Sequence, residues 1–292
     1  MTELHPRSGV AVSTVGLVHI YRAEGHDVAA LSGVDLVVRP GEVVGLLGPS
    51  GAGKSTLLSL FAGLIRPSAG RIRVGDHDLG AMSPAELDRY RATDVGFLLQ
   101  GAMRNLIPYL TPRENIAFAQ RAALRAERPD VPAPAALVDE LGLGDVAEAT
   151  LRSLTPAQQQ LTALGVALAA RPGLLLADEP TSQLDHEARA LVIGTLQRVS
   201  AEHGTTIIIV THDPHVAEAL PRTVTIRDGR VSGEGRRGEE LSIVAVDGSL
   251  PLPQAIVAAL PPGTLVRVQP TEHGWLLERD DIQTDQATGE PR

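Results

Sequence analysis

A chain of 292 residues can hold one large domain, or a medium domain with an appendage, and either affords a sizeable core. Its formal net charge of −9 argues against a broad nucleic-acid footprint, and zero cysteines exclude disulfides, thiolate metal sites and cysteine nucleophiles. No apolar run reaches the ~18 residues of a membrane span and no signal-peptide pattern opens the chain, so it reads as a soluble cytosolic protein.

In chain order, apolar residues alternate from Ser13 to Tyr21 and from Val34 to Val38, which predicts strands. Arg39-Pro40-Gly41-Glu42 then makes a turn. Val43 to Leu47 is an apolar run of buried-strand type, followed after a glycine-rich stretch by Leu57, Leu58, Leu60, Phe61 and Leu64 at helical spacing. Arg71 to Val74 continues the β-rich opening, and Ser83 to Gln100 reads as a short helix and then a strand, Val95 to Leu99. Thr111-Pro112-Arg113-Glu114 is a capping box that opens a helix to about Arg128, and Pro129 to Pro134 breaks it. Helical patches follow at Ala135 to Leu141 and Pro156 to Ala170. A strand over Leu174 to Ala177, a helix from His186 to His203 and a strand from Thr206 to Val210 complete the alternation. Strands alternating with helices predict a parallel sheet carrying a mostly helical insertion between Gln100 and Arg171.

The glycine-rich stretch is Gly48-Pro49-Ser50-Gly51-Ala52-Gly53-Lys54-Ser55-Thr56, and Lys54 is the only lysine among 26 basic residues. A Gly-x-x-x-x-Gly-Lys-Ser/Thr loop between a strand and a helix wraps backbone N–H groups around phosphates. A compact ammonium reaches the β- and γ-phosphates where a planar guanidinium would not fit. The helix N-terminus adds its positive dipole end to the anion site. The chain is thus expected to bind a nucleoside triphosphate.

The strand ending at Asp178-Glu179 supplies the complementary acids. Asp178 is expected to hold Mg²⁺ together with Ser55, and Glu179 to accept the proton of an attacking water. His212 follows another apolar strand at the same carboxyl edge, where it can sense the γ-phosphate, and Gln100 ends a strand facing that edge, within reach of Mg²⁺ or the water.

The order of these pieces, over roughly residues 12 to 232, resembles the ATP-binding subunits of ABC transporters. Six motifs look like that family's Walker A, Q-loop, Walker B, catalytic glutamate, D-loop (Ser182-Gln183-Leu184-Asp185) and switch histidine. The resemblance implies an α/β P-loop NTPase fold with an antiparallel β subdomain, a helical subdomain at about 101 to 170, and ATP and Mg²⁺ as ligands. It implies Tyr21 as the aromatic that stacks on adenine. It also implies a dimer, of identical chains or with a second ATP-binding subunit, and a membrane permease that places the chain at the cytoplasmic face of the membrane. Asn105 to Thr111 with Glu114-Asn115 looks most like the subgroup of macrolide export and lipoprotein release.

One motif departs from the pattern. Where the family carries Leu-Ser-Gly-Gly-Gln to grip the γ-phosphate held by the other subunit, this chain reads Leu154-Thr155-Pro156-Ala157-Gln158. Pro156 offers no N–H and Ala157 adds a Cβ where backbone must approach, so the grip is expected to be weakened, while the segment makes a well-capped helix start. From 241 to 280 the pattern predicts a small strand–helix–strand–strand unit, with strands at Ile243 to Gly248, Leu265 to Val268 and Trp275 to Leu277. That stretch faintly resembles the swapped-hairpin domain of bacterial transition-state regulators. It has more acids than arginines, so DNA binding is not implied. The polar stretch at 281 to 292 is expected to be disordered.

Overall fold

The computed structural model describes residues 9–23, 26–128, 130–236, 239–244, 248, 250, 252 and 254–279. The chain falls into two units that part after Leu241.

The first unit runs through β1 (Val12–Ala23), β2 (His26–Val38), β3 (Val43–Leu47), α1 (Lys54–Phe61), β4 (Ala69–Val74), β5 (His77–Asp78), α2 (Pro84–Thr93) and β6 (Val95–Leu98). It continues with α3 (Pro112–Arg125), α4 (Pro134–Glu140), α5 (Pro156–Leu168), β7 (Leu174–Asp178) and α6 (His186–His203). The last elements of the sheet and its flank are β8 (Thr206–Val210), α7 (Pro214–Ala219), β9 (Arg222–Arg227) and β10 (Arg230–Arg236), and β11 (Glu239–Ser242) spans the point where the units part.

A seven-stranded sheet of order β11-β10-β9-β3-β8-β7-β6 forms the centre, and an antiparallel four-stranded sheet of order β2-β1-β4-β5 lies in the same unit. From β9 to β6 the central strands are parallel, and β10 returns antiparallel along β9.

The core follows from strand alternation. Val44, Leu46, Leu174, Leu176, Ile208 and Val210 share one apolar cluster with Leu57, Leu58 and Phe61 of α1. Their neighbours Val43, Leu175, Ala177, Ile207 and Ile209 join Leu161, Leu164 and Leu168 of α5 and Val192, Leu196 and Val199 of α6 in the other. Successive strand residues point to opposite faces, so only a sheet covered on both sides buries such unbroken apolar runs. The helical stretch between β6 and β7 joins the second cluster through Ile116, Leu137 and Val138. Helix starts are fixed locally: Ser83, Thr111 and Thr155 each head a capping box with proline at the first turn.

Three expectations need correction. Helix α3 stops at Arg125 rather than Arg128. Glu127 turns to a φ of 57°, and the buried Arg128 side chain donates to the Arg171 carbonyl instead of continuing the helix face. Strand β2 begins at His26, eight residues before the alternating stretch. Pairing with β1 through three register shifts carries it across residues whose pattern alone predicts no strand. Strand β10 runs from Arg230 to Arg236, and β11 lies beside it as the last strand of the seven-stranded sheet. The strand expected at Ile243 to Gly248 is accordingly displaced. Ile243 and Val244 lie outside any strand, and Ala245 to Asp247 fall outside the described residues.

In the second unit, α8 (Gln254–Ala259) precedes an antiparallel hairpin of β12 (Val266–Thr271) and β13 (Gly274–Arg279). The segment from 281 to 292 lies outside the described residues.

Candidate nucleotide-binding site

Strands β3, β7 and β8 are adjacent and parallel, so the segments leaving their carboxyl ends share one edge of the sheet. The loop from β3 to α1 is shaped by glycines. Gly53 sits at φ 99°, where a Cβ would lie 2.4 Å from the Ala30 carbonyl oxygen, and one on Gly48 would lie 2.0 Å from that of Ile226. Only glycine fits either place. Helix α1 has no side-chain cap and no acid in its first turn, and Leu57 is the first residue whose amide finds a helical acceptor, Gly53 at 2.9 Å. The preceding amides of Lys54, Ser55 and Thr56 are therefore free for an anion at the positive dipole end.

Lys54 is 8% exposed, and its Nζ donates to the carbonyl oxygens of Gly48 at 2.7 Å and Pro49 at 2.8 Å. Burial pulls its pKa down, while the nearby charges of Glu179 and Asp178 push the other way. Burial raises the pKa of Asp178, against the opposing pull of a hydrogen bond from the Ser55 hydroxyl and the charges of Lys54 and Arg104. A desolvated carboxylate bonded to a hydroxyl is an all-oxygen donor pair, the set a hard divalent cation such as Mg²⁺ prefers.

Glu179, just beyond β7, adopts φ 51°, uncommon for a residue with a Cβ, and its amide donates to the Val210 carbonyl at 3.0 Å. The turn aims its carboxylate at the next segment, where Oε1 lies 2.6 Å from Nδ1 of His212. The glutamate side chain is 12% exposed and the imidazole 72%, so the pair runs from a sheltered carboxylate to an open ring.

A cavity of about 780 Å³ unites these groups, lined by Gly48, Pro49, Ser50, Gly51, Gly53, Lys54, Ser55, Thr56, Gln100, Asp178, Glu179 and His212. Tyr21 lines it too, its hydroxyl 3.3 Å from Thr56 Oγ1 and its ring edge-on to His19 with centroids 4.6 Å apart. Ala52 is the exception among the loop residues. Its side chain is buried in the core and its amide donates to the Pro49 carbonyl at 3.3 Å, so it shapes the loop rather than lining the cavity.

Thr155, Pro156 and Ala157 stand apart, lining a second cavity of about 480 Å³ with Gln183, Asp185 and Glu187. Thr155 caps α5: its amide donates to Gln158 Oε1 at 2.9 Å, and the Gln158 amide donates to Thr155 Oγ1 at 3.2 Å. Sequence reasoning missed Val28, Ala29 and Ala30, which line the nucleotide cavity from β2, and Arg104, whose charge reaches Asp178. No local motif marks any of them.

Comparison with known proteins agrees with this geometry. The ABC transporter family model matches residues 31–182. The lipoprotein-releasing system ATP-binding protein LolD of Anaeromyxobacter dehalogenans is 41% identical over 70% of this chain and 85% of its own length. The macrolide export ATP-binding/permease protein MacB of Rhodopirellula baltica is 34% identical over 77% of this chain, which spans 33% of that longer protein. A solved dimeric ATP-binding cassette in a post-hydrolysis state with ADP and Pi superposes with a TM-score of 0.68 at 30% identity, covering 77% of this chain and 98% of that one. With the phosphate loop, paired acids and histidine on one sheet edge, the chain belongs to the ABC transporter family, as one of its ATPase cassettes.

Proposed function

We propose that this chain powers transport through a separate membrane permease by binding ATP with Mg²⁺ and hydrolysing it at the 780 Å³ cavity. The observation that carries the reading is the 2.6 Å contact of Glu179 with His212 beside the buried Lys54. The α1 amides and Lys54 bind the phosphates, and Tyr21 stacks on the base. Ser55, Asp178 and Gln100 would hold Mg²⁺, which neutralises phosphate charge when bound. Glu179 takes the proton of the attacking water, and His212, hydrogen-bonded to it, orients that carboxylate and faces the γ-phosphate. Two such cassettes close around two nucleotides, and the permease holds the assembly at the cytoplasmic face of the membrane. The similarity to lipoprotein-releasing and macrolide-export proteins supports a system of that kind, with cargo chosen by the permease.

The missing N–H of Pro156 and the Cβ of Ala157 favour a second reading, an ATP-gated switch that turns over slowly. The capping box holds the amides of Thr155 and Gln158 on side chains and Pro156 offers no N–H, so Ala157 keeps the one remaining amide of the four residues from Thr155 to Gln158. Glu179→Gln tests the primary reading. It should retain ATP binding, lose hydrolysis and trap a closed ATP-bound dimer, read by size-exclusion chromatography with light scattering. Hydrolysis at the wild-type rate would remove Glu179 from the mechanism.

A further inference from the structure

The contact between Glu179 and His212 joins two loops that leave different strands, and His212 is largely open to solvent. What holds the loops together lies one layer behind the site. From α6, Arg189 forms an ion pair with Asp213, the residue after His212, with NH1 2.9 Å from Oδ2. Its other terminal nitrogen donates at 3.4 Å to the carbonyl oxygen of Leu184, in the loop that leads from Glu179 into α6.

Asp213 is itself anchored. Its amide donates to Thr211 Oγ1 at 3.1 Å, and its second carboxylate oxygen accepts from the His215 amide at 2.9 Å to cap α7. The loop on the other side holds two residues at positive φ, Glu179 at 51° and Gln183 at 68°. Such backbone persists only where its surroundings over-determine it. The Nε of Arg189 is buried with no hydrogen-bond partner among the described residues. Burying an unsatisfied donor is unfavourable, so packing alone does not select arginine here, and the two contacts of its terminal nitrogens do.

We propose that Arg189 is a positioning residue for hydrolysis. It clasps the loop after Glu179 to the loop carrying His212, and so holds carboxylate and imidazole in register. It touches neither phosphate nor water and acts through Leu184 and Asp213. The role rests on the proposed chemistry of Glu179 and His212, but it makes demands that this chemistry alone does not.

The test uses the full chain in single-turnover hydrolysis, with protein in excess over ATP, beside equilibrium titration with labelled ATP. Arg189→Ala should slow hydrolysis about ten- to a hundredfold, the effect of a small misplacement of reacting groups, with ATP affinity changed less than about twofold. Asp213→Ala should do the same, and the double variant should be no slower than the slower single, because both remove one linkage. Arg189→Lys, which keeps a cation facing Asp213, should recover part of the rate. Should Arg189→Ala fail to fold, Arg189→Lys and Asp213→Asn carry the comparison. A wild-type rate in Arg189→Ala, fully additive losses in the double variant, or loss of affinity in step with loss of rate would overturn the clasp. A Glu179→Gln control separates the two readings. If that variant is silent and Arg189→Ala is normal, the clasp alone fails. If Glu179→Gln is fully active, the proposed chemistry fails.

Discussion

Replacing Thr155-Pro156-Ala157 by Ser-Gly-Gly should speed hydrolysis by the chain alone. Of the four residues from Thr155 to Gln158, Thr155 and Gln158 spend their amides on each other's side chains and Pro156 has none. Ala157 is left with the one available amide of these four. The substitution adds an N–H at 156 and removes the Cβ at 157 that keeps backbone from a phosphate. One hydrogen bond to a charged group is worth about 1.5–3 kcal/mol. That corresponds to about ten- to a hundredfold in an equilibrium, and in rate if closure limits turnover. Stability should move the opposite way. Serine keeps the cap, but two glycines lose the preset φ of Pro156 and cost up to about 1 kcal/mol each relative to alanine. A variant that is faster and melts a few degrees lower cannot be explained by general stabilisation. Phosphate release by the purified chain, with and without a second ATP-binding subunit carrying Leu-Ser-Gly-Gly-Gln, reads the effect. If wild type alone hydrolyses ATP robustly and the triple variant matches it, the signature is not impaired. If the second subunit accelerates the wild-type chain more than the triple substitution does, the pair is heteromeric.

Two further outcomes follow from the buried charges. Lys54→Ala and Lys54→Arg should each weaken labelled-ATP binding at least about tenfold with the fold intact by circular dichroism, since the ammonium's short bonds to Gly48 and Pro49 leave no place for a planar fork. Burial raises the folded-state pKa of Asp178 above its ordinary value, so its ionisation opposes folding, and stability is lost as pH rises through that raised value. Asp178→Asn should therefore raise the melting temperature of the ligand-free chain at neutral pH while reducing Mg²⁺-dependent hydrolysis. A melting temperature that falls, or does not change, would refute the desolvation argument.

The central site was legible in the sequence because its chemistry is carried by segments that each announce themselves. Lys54, Asp178-Glu179 and His212 each follow a short apolar run, and a parallel sheet built from such runs delivers its strand ends to one edge. The capping boxes at Thr111 and Thr155 were legible for the same reason, being complete within four residues. Contributions that depend on distant pairing were not. Ala30 meets the Gly53 turn only because β2 returns along β1 through a run of register shifts, and nothing in Val28-Ala29-Ala30 marks a nucleotide wall. Strand β11 was missed because the unbroken apolar run from 243 to 246 looks like the strand instead. What decided the matter was the unpaired edge of β10, a property of the assembled sheet.

The same distinction separates the groups proposed to react from those proposed to hold them in place. Glu179 and His212 were found from their strands, yet their 2.6 Å separation is a tertiary fact, set by a strained φ at Glu179 and by the ion pair behind it. An arginine four residues after Asp185 reads in sequence as one more solvated cation on a helix. Only when α6 is laid against the loop after β8 does its guanidinium reach Asp213. Thr155 shows the converse. Its departure from the family pattern is visible in sequence, but the structure adds that Thr155 and Gln158 spend their amides on each other's side chains, so with the proline's missing N–H three of the four amides are withheld.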